Sequence, residues 1–265
     1  MRLRLDISPC PNDTFMFDAL AGGRIDLRGL TFETGFEDIE QLNRRAVAGE
    51  ADVCKISCAI LPLTTDRYAL LHGGAALGRG NGPLVVARGE VDLSQPLRVA
   101  VPGLHTTANS LMNRLYPHIT NKPCLLFSEI ADAVARGEVD AGVLIHEGRF
   151  TFADRGLRLA ADLGAEWERR TGLPLPLGAI VVRRSLLVEV QRTVDELVRE
   201  SVLYARAHPE ASAEFVRTHA QELSQSVTRQ HIAMFVNEFS VAVGPEGERA
   251  IRELTGLAGE RIFVA

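Results

Sequence analysis

No run of about eighteen apolar residues appears in the chain, so no segment reads as a membrane-spanning helix. The opening MRLRLDIS carries neither the apolar stretch nor the cleavage site of a secretion signal and runs straight into a strand pattern. The expectation is a cytoplasmic protein with no membrane partner. Blocks of like charge are also missing, and the 29 basic residues face 34 acidic ones for a formal net charge of −5. That balance argues against nucleic acid as a partner, which needs a positive surface. Gly-x-Gly-x-x-Gly is absent, so no dinucleotide cofactor is signalled. Cysteine is scarce, at four residues: Cys10, Cys54, Cys58 and Cys124. Cys54 and Cys58 make one C-x3-C without the second pair or nearby His of a zinc set, so the reading is free thiols in a reducing compartment and no metal.

What is present fits a globular enzyme-sized chain. The 265 residues are 46% hydrophobic and 24% charged, enough for one large domain or two modest ones. Leu3-Arg4-Leu5-Asp6-Ile7 alternates like a strand. It meets Pro9 and Pro11, then Asn12-Asp13-Thr14 and a helical pattern through Phe15, Ala19 and Leu20. Proline cannot continue a central strand, and Asn12 or Asp13 is expected to cap the helix. Such an elbow aims free backbone N–H groups at whatever lies above the strand end and favours anions.

The chain echoes itself. Ile39, Leu42 and Ala46 share a helical face that ends at Gly49-Glu50-Ala51-Asp52-Val53 before an apolar strand. Ile130 and Val134 repeat this, ending at Gly137-Glu138-Val139-Asp140-Ala141 before Gly142-Val143-Leu144-Ile145. Both read as helix, glycine cap, acidic turn and buried strand. A second echo matches Gly82–Arg88 with Gly178–Arg184, two apolar β-branched runs that suggest paired crossovers between lobes. From residue 185 the pattern turns helical, with a break at Pro209 and further helices around Ala213–His219 and Thr228–Val241.

Strands alternating with helices imply an α/β architecture with a mainly parallel sheet in each lobe. Two lobes and a double crossover make the fold resemble the type II periplasmic-binding-protein architecture, with a ligand cleft between the lobes. The lobes are expected at 1–90 plus 181–265, and at 91–180.

Ligands in such sheets bind beyond the carboxyl ends of strands, which singles out four segments. The first is the elbow, with Asn12 and Thr14. The second is Lys55-Ile56-Ser57 at a strand end, where an ammonium can pair with a carboxylate and a hydroxyl can donate. The third is Val101–Asn109, a strand turning through Pro102-Gly103 into a helix capped by Thr106 or Thr107. Its free amides, that of Ala108 among them, suit a carboxylate. The fourth is His146-Glu147-Gly148-Arg149-Phe150, placing an imidazole just past a buried strand, where proton exchange near neutral pH is available.

The strings SPCPNDTF, KIS, GRGNGPLVV, HTTAN and VLIHEGRFTF, spread from residue 1 to about residue 182, resemble those of the 1,4-dihydroxy-6-naphthoate synthase family of the futalosine route to menaquinone. The resemblance implies conversion of cyclic dehypoxanthinyl futalosine to 1,4-dihydroxy-6-naphthoate, with His146 as general base. It also implies substrate contacts from the Lys55–Ser57 and Thr106–Ala108 segments, a small aromatic carboxylate as ligand, and no cofactor. Alternatives stay open: chorismate dehydratase of the same pathway, a non-catalytic solute receptor, a ligand-sensing domain, and a Schiff-base role for Lys55. Fold alone does not separate them.

Overall fold

The computed structural model describes residues 1–146, 148–219, 224–259 and 261–265. The chain forms two compact units, Met1–Gly78 with Pro176–Ala265, and Arg79–Leu175. In chain order the first part contains β1 (Arg2–Ile7), α1 (Pro11–Ala21), β2 (Thr31–Phe36), α2 (Ile39–Ala48), β3 (Val53–Ser57), β4 (Tyr68–Leu70) and β5 (Ala76–Gly78). The middle contributes β6 (Leu84–Ala87), β7 (Val99–Ala100), α3 (Thr107–Leu115), α4 (Phe127–Arg136), β8 (Ala141–Leu144), α5 (Gly148–Thr151), β9 (Arg158–Asp162) and α6 (Leu163–Thr171). The last part holds β10 (Leu175–Arg183), α7 (Val188–Ala207), α8 (Ala213–His219), α9 (Gln225–Phe235), α10 (Glu238–Val241) and α11 (Gly244–Thr255). Among the described residues no helix is long and apolar enough to cross a membrane.

The discontinuous unit is built on a six-stranded sheet ordered β2-β1-β3-β10-β4, with β5 also on β10. β1 runs parallel to β2 and β3, whereas β10 is antiparallel to both β3 and β4. Leu3, Leu5 and Ile7 alternate into the core, as the sequence pattern requires. Asp6 is the exception, a buried carboxylate held by Arg4 and Arg45. Helix α1 is buried almost throughout because α7, α8 and α9 all pack on it. One face of the sheet carries Phe17, Val194, Leu197 and Val198, and another apolar cluster gathers Leu42, Ile56, Leu70 and Ile251. Phe17 alone, fully buried, contributes about 1.5–3 kcal/mol relative to exposure.

The continuous unit has a four-stranded sheet ordered β7-β8-β6-β9. Only β7 and β8 are parallel; β6 is antiparallel to both neighbours. The expectation of a mainly parallel sheet in each lobe is therefore corrected: this unit has one parallel and two antiparallel pairings, and in the discontinuous unit the two parallel pairings of β1 are matched by two antiparallel pairings of β10. The reason is that the strand of the second echo, β6 here and β10 in the other unit, runs against its neighbours as a returning strand. Because β6 pairs with β8 and β9, it belongs to the continuous unit, and the chain passes between units at 78/79 and 175/176, earlier than the lobe bounds expected at 90 and 180.

The first echo is structural. Gly49 and Gly137 both adopt φ of 76°, close α2 and α4 with matching backbone bonds, and lead into β3 and β8. Two local expectations change. Cys10, not Asn12 or Asp13, is the N-cap of α1; Pro11 fills the first helical position, and the Asp13 carboxylate is engaged elsewhere. The helix expected over Thr228–Val241 is divided at Val236, where the Asn237 side chain and Ser240 form a capping box that starts α10.

Candidate active site

In the discontinuous unit the elbow and the end of β3 meet around one buried carboxylate. Asp13, fully buried one turn into α1, accepts from Ser8 Oγ at 2.6 Å, Ser8 N at 3.3 Å, Asn12 Nδ2 at 2.8 Å and Lys55 Nζ at 2.6 Å. Lys55 is itself buried, so it forms an inward ion pair rather than a solvated strand end. Burying an ion pair demands that the remaining lone pairs be met, and Ser8 and Asn12 meet them. Beyond Lys55, Ser57 is fixed by Asn43 of α2, whose Nδ2 donates to Ser57 Oγ at 3.0 Å while Ser57 N donates to Asn43 Oδ1 at 2.8 Å.

The other expected residues of this unit stand apart from that network. The Ile56 side chain belongs to the core beside Cys54 and Leu42, so only its backbone faces the strand ladder. Thr14 Oγ1 donates back to the carbonyls of Cys10 and Pro11, sealing the first turn of α1. Phe15, from the same string, floors a groove of about 910 Å³ between α8 and α9 with Val216 and Ile232.

In the continuous unit, Thr106 caps α3 as expected. Its Oγ1 accepts from Asn109 N at 3.2 Å and donates to Gly103 O at 2.8 Å. Thr107 and Ala108 follow as buried first-turn residues, and helix N-termini of this kind offer backbone N–H groups to anions. His146 sits two residues past β8 with φ of 55°, one of two non-glycine residues at positive φ among those described. Its ring meets Phe127 of α4 edge-on at 4.9 Å. A bulky residue in the left-handed region is uncommon and clusters at functional sites.

Helix α5 is tied down by Arg149, whose guanidinium donates to the carbonyls of Gly80 and Gly82 at 2.9 and 3.1 Å. Burial lowers the Arg149 pKa, and the bonds to carbonyls compensate in part for its desolvation. The HEGRFTF and GRGNGP strings are thus joined physically. Glu147, inside the first string, lies outside the described residues. Among the described residues no group of three or more His, Cys, Asp or Glu is placed to hold a metal ion.

Residues 3–260 match the family described as menaquinone biosynthesis. The chain belongs to that family. Two relatives carry the name 1,4-dihydroxy-6-naphthoate synthase. The one from Thermus thermophilus is 51% identical over 263 residues, covering 99% of this chain and 96% of the relative. The one from Streptomyces coelicolor is 47% identical over 271 residues, covering 99% and 95%. A solved protein from Archaeoglobus fulgidus superposes with a TM-score of 0.91 at 38% identity, over 96% of this chain and 95% of that one. The periplasmic aliphatic sulphonate-binding protein of Escherichia coli gives a TM-score of 0.63 at 11% identity, over 88% and 79%. The fold is therefore of the periplasmic-binding-protein kind, and family membership accords with the resemblance read from SPCPNDTF and the later strings.

Sequence reasoning placed Lys55 and Ser57 but not what holds them. In the sequence Asp13 reads as a cap, and Asn43 carries no local signal, because a polar residue on an amphipathic helix is ordinarily solvated. The signal available was Asn43's position directly after Leu42, on the buried edge of α2.

Proposed function

We propose that this chain is a 1,4-dihydroxy-6-naphthoate synthase acting as a carbon–carbon lyase: it converts cyclic dehypoxanthinyl futalosine to 1,4-dihydroxy-6-naphthoate and releases the remainder of the former ribose. The observation that carries the reading is near-full-length identity of 51% to a relative bearing that name. His146 takes a proton from the sugar-derived portion, C–C cleavage follows, and aromatisation drives the step. The naphthoate carboxylate is held by the α3 N-terminus through Thr106, Thr107 and Ala108. Lys55 and Ser57 fix the other polar groups. Lys55 is tied to a carboxylate at 2.6 Å, which suits an electrostatic anchor better than a Schiff-base amine. The two units are read as lobes, and the setting as the cytoplasm, where four free thiols are at home.

The test is direct turnover: purified protein with cyclic dehypoxanthinyl futalosine, the naphthoate followed by mass spectrometry. His146→Asn is expected to lose about 10²–10⁴-fold in turnover while still binding substrate, the usual contribution of a positioned base. Near-normal turnover in that variant removes His146 from the role. No naphthoate from folded wild-type protein removes the activity itself.

A further inference from the structure

The end of β3 presents a lysine whose side chain is constrained from two independent directions. From one side, the Asp13 carboxylate takes one ammonium N–H at 2.6 Å and is itself anchored by Ser8 and Asn12. From the other, β10 passes antiparallel with Gly178 opposite Ser57 in the ladder. A Cβ at Gly178 would stand 2.8 Å from Lys55 Cε and 3.2 Å from the Ile56 carbonyl oxygen. Real Cβ contacts do not come that close to a side chain that cannot yield, and Lys55 is almost fully buried. The backbone conformation does not demand glycine here, because Gly178 is not among the glycines of positive φ. The vacancy serves the lysine's path.

We propose that Asp13 and Gly178 are positioning residues for Lys55, the carboxylate drawing the ammonium into place and the missing Cβ leaving the channel through which the lysine stem runs. An ammonium has three donors, and the pair with Asp13 engages one, so the geometry fixes the direction in which the others reach a substrate oxygen. Lysine carries large rotamer entropy, and holding it in one conformation before substrate arrives removes that ordering from the binding step. The inference rests on the reading of Lys55 as a substrate contact.

The experiment is a cycle of variants assayed for KM, kcat and melting temperature with cyclic dehypoxanthinyl futalosine. Asp13→Asn and Gly178→Ala, one altering charge and the other only volume, are each expected to raise KM about 10-fold or more with kcat within about 3-fold, the signature of lost uniform binding. In a Lys55→Ala background neither substitution changes KM further, because the side chain they position is gone. Gly178→Ala also lowers the melting temperature less in that background than in the wild type. If Lys55→Ala raises KM while Asp13→Asn and Gly178→Ala leave it unchanged, the positioning proposal is overturned and the substrate role of Lys55 survives. If Lys55→Ala leaves KM unchanged, both fall. KM effects that persist undiminished without Lys55 mark Asp13 and Gly178 as merely structural and overturn the proposal. Should Asp13→Asn fail to fold, the Gly178→Ala arm alone decides, since it leaves the buried charges paired.

Discussion

His146 holds a backbone conformation that glycine would adopt more easily, with φ of 55° and its ring edge-on to Phe127. His146→Gly relieves strain of about 1–3 kcal/mol but loses the ring's contacts and adds about 0.5–1 kcal/mol of glycine's conformational freedom, so stability is expected to change little while turnover collapses. Urea denaturation beside the turnover assay checks this, and a large loss of stability would show that the side chain's contacts outweigh the strain. The cysteines sort just as sharply. Burial pushes the Cys58 thiol up to about 12 and raises Cys54 as well, and Cys10 is also buried. Cys124 is exposed. An aromatic disulfide reagent at neutral pH is expected to titrate one thiol quickly, and the remaining three only as the protein unfolds. Residue chemistry was partly legible in the chain: a lysine at a strand end announces a carboxylate partner, but not that the partner lies 42 positions back in a helix.

At the scale of elements, the glycine-rich string before β6 is explained by packing. Gly82 and Gly164, the latter in the first turn of α6, approach so closely that a Cβ on Gly164 would lie 2.6 Å from Gly82 Cα. Gly164→Ala should destabilise the continuous unit by about 3 kcal/mol, since neither backbone can yield. Trp167, the single tryptophan and buried on the same helix, reports the shift as a lower urea midpoint in fluorescence. Unchanged fluorescence transitions would mean that the strand and helix slide apart at little cost. The α3 cap offers a milder case: Thr106→Ala removes the bond to Asn109 N and should cost about 1 kcal/mol. Element boundaries set by covalent rules were readable, such as the Gly49 and Gly137 caps or the end of α3 before Pro117. Strand direction was not, because an apolar run such as Leu84–Ala87 looks the same read toward either partner.

For the whole molecule, pH acts through a contact that links the loop after β4 to α7. His72 Nδ1 lies 2.6 Å from Asp195 Oδ2, and its ring stacks on Phe263 near the C-terminus. The Asp195 hydrogen bond raises the His72 pKa above its ordinary 6.5, against some desolvation and with help from Glu248. A histidine raised in the folded state stabilises fully below its unfolded pKa and loses that contribution as pH climbs through the folded value. Half-exposed, the pair contributes less than about 1 kcal/mol. The melting temperature of wild type should exceed that of His72→Gln by a small margin at about pH 6, and the margin should vanish by about pH 9. A margin that grows with pH would contradict the assignment. The division into two units was visible in outline from the paired echoes, whereas its seams depended on which strands pair, a long-range property that local pattern does not carry.

The strand order has a consequence in time. During synthesis the ribosome releases β1, β2, β3 and β4 early, yet β4 joins their sheet only through β10, which emerges after the whole of Arg79–Leu175. Until then the backbone edge of β3, Val53–Ser57, waits unpaired on that side while the nascent chain grows by an entire inserted unit. An open edge of that kind invites pairing with a neighbouring nascent chain. The strand that carries Lys55 is thus one that depends on being shielded during birth, and slowing elongation between codons 79 and 175 would be felt first as aggregation.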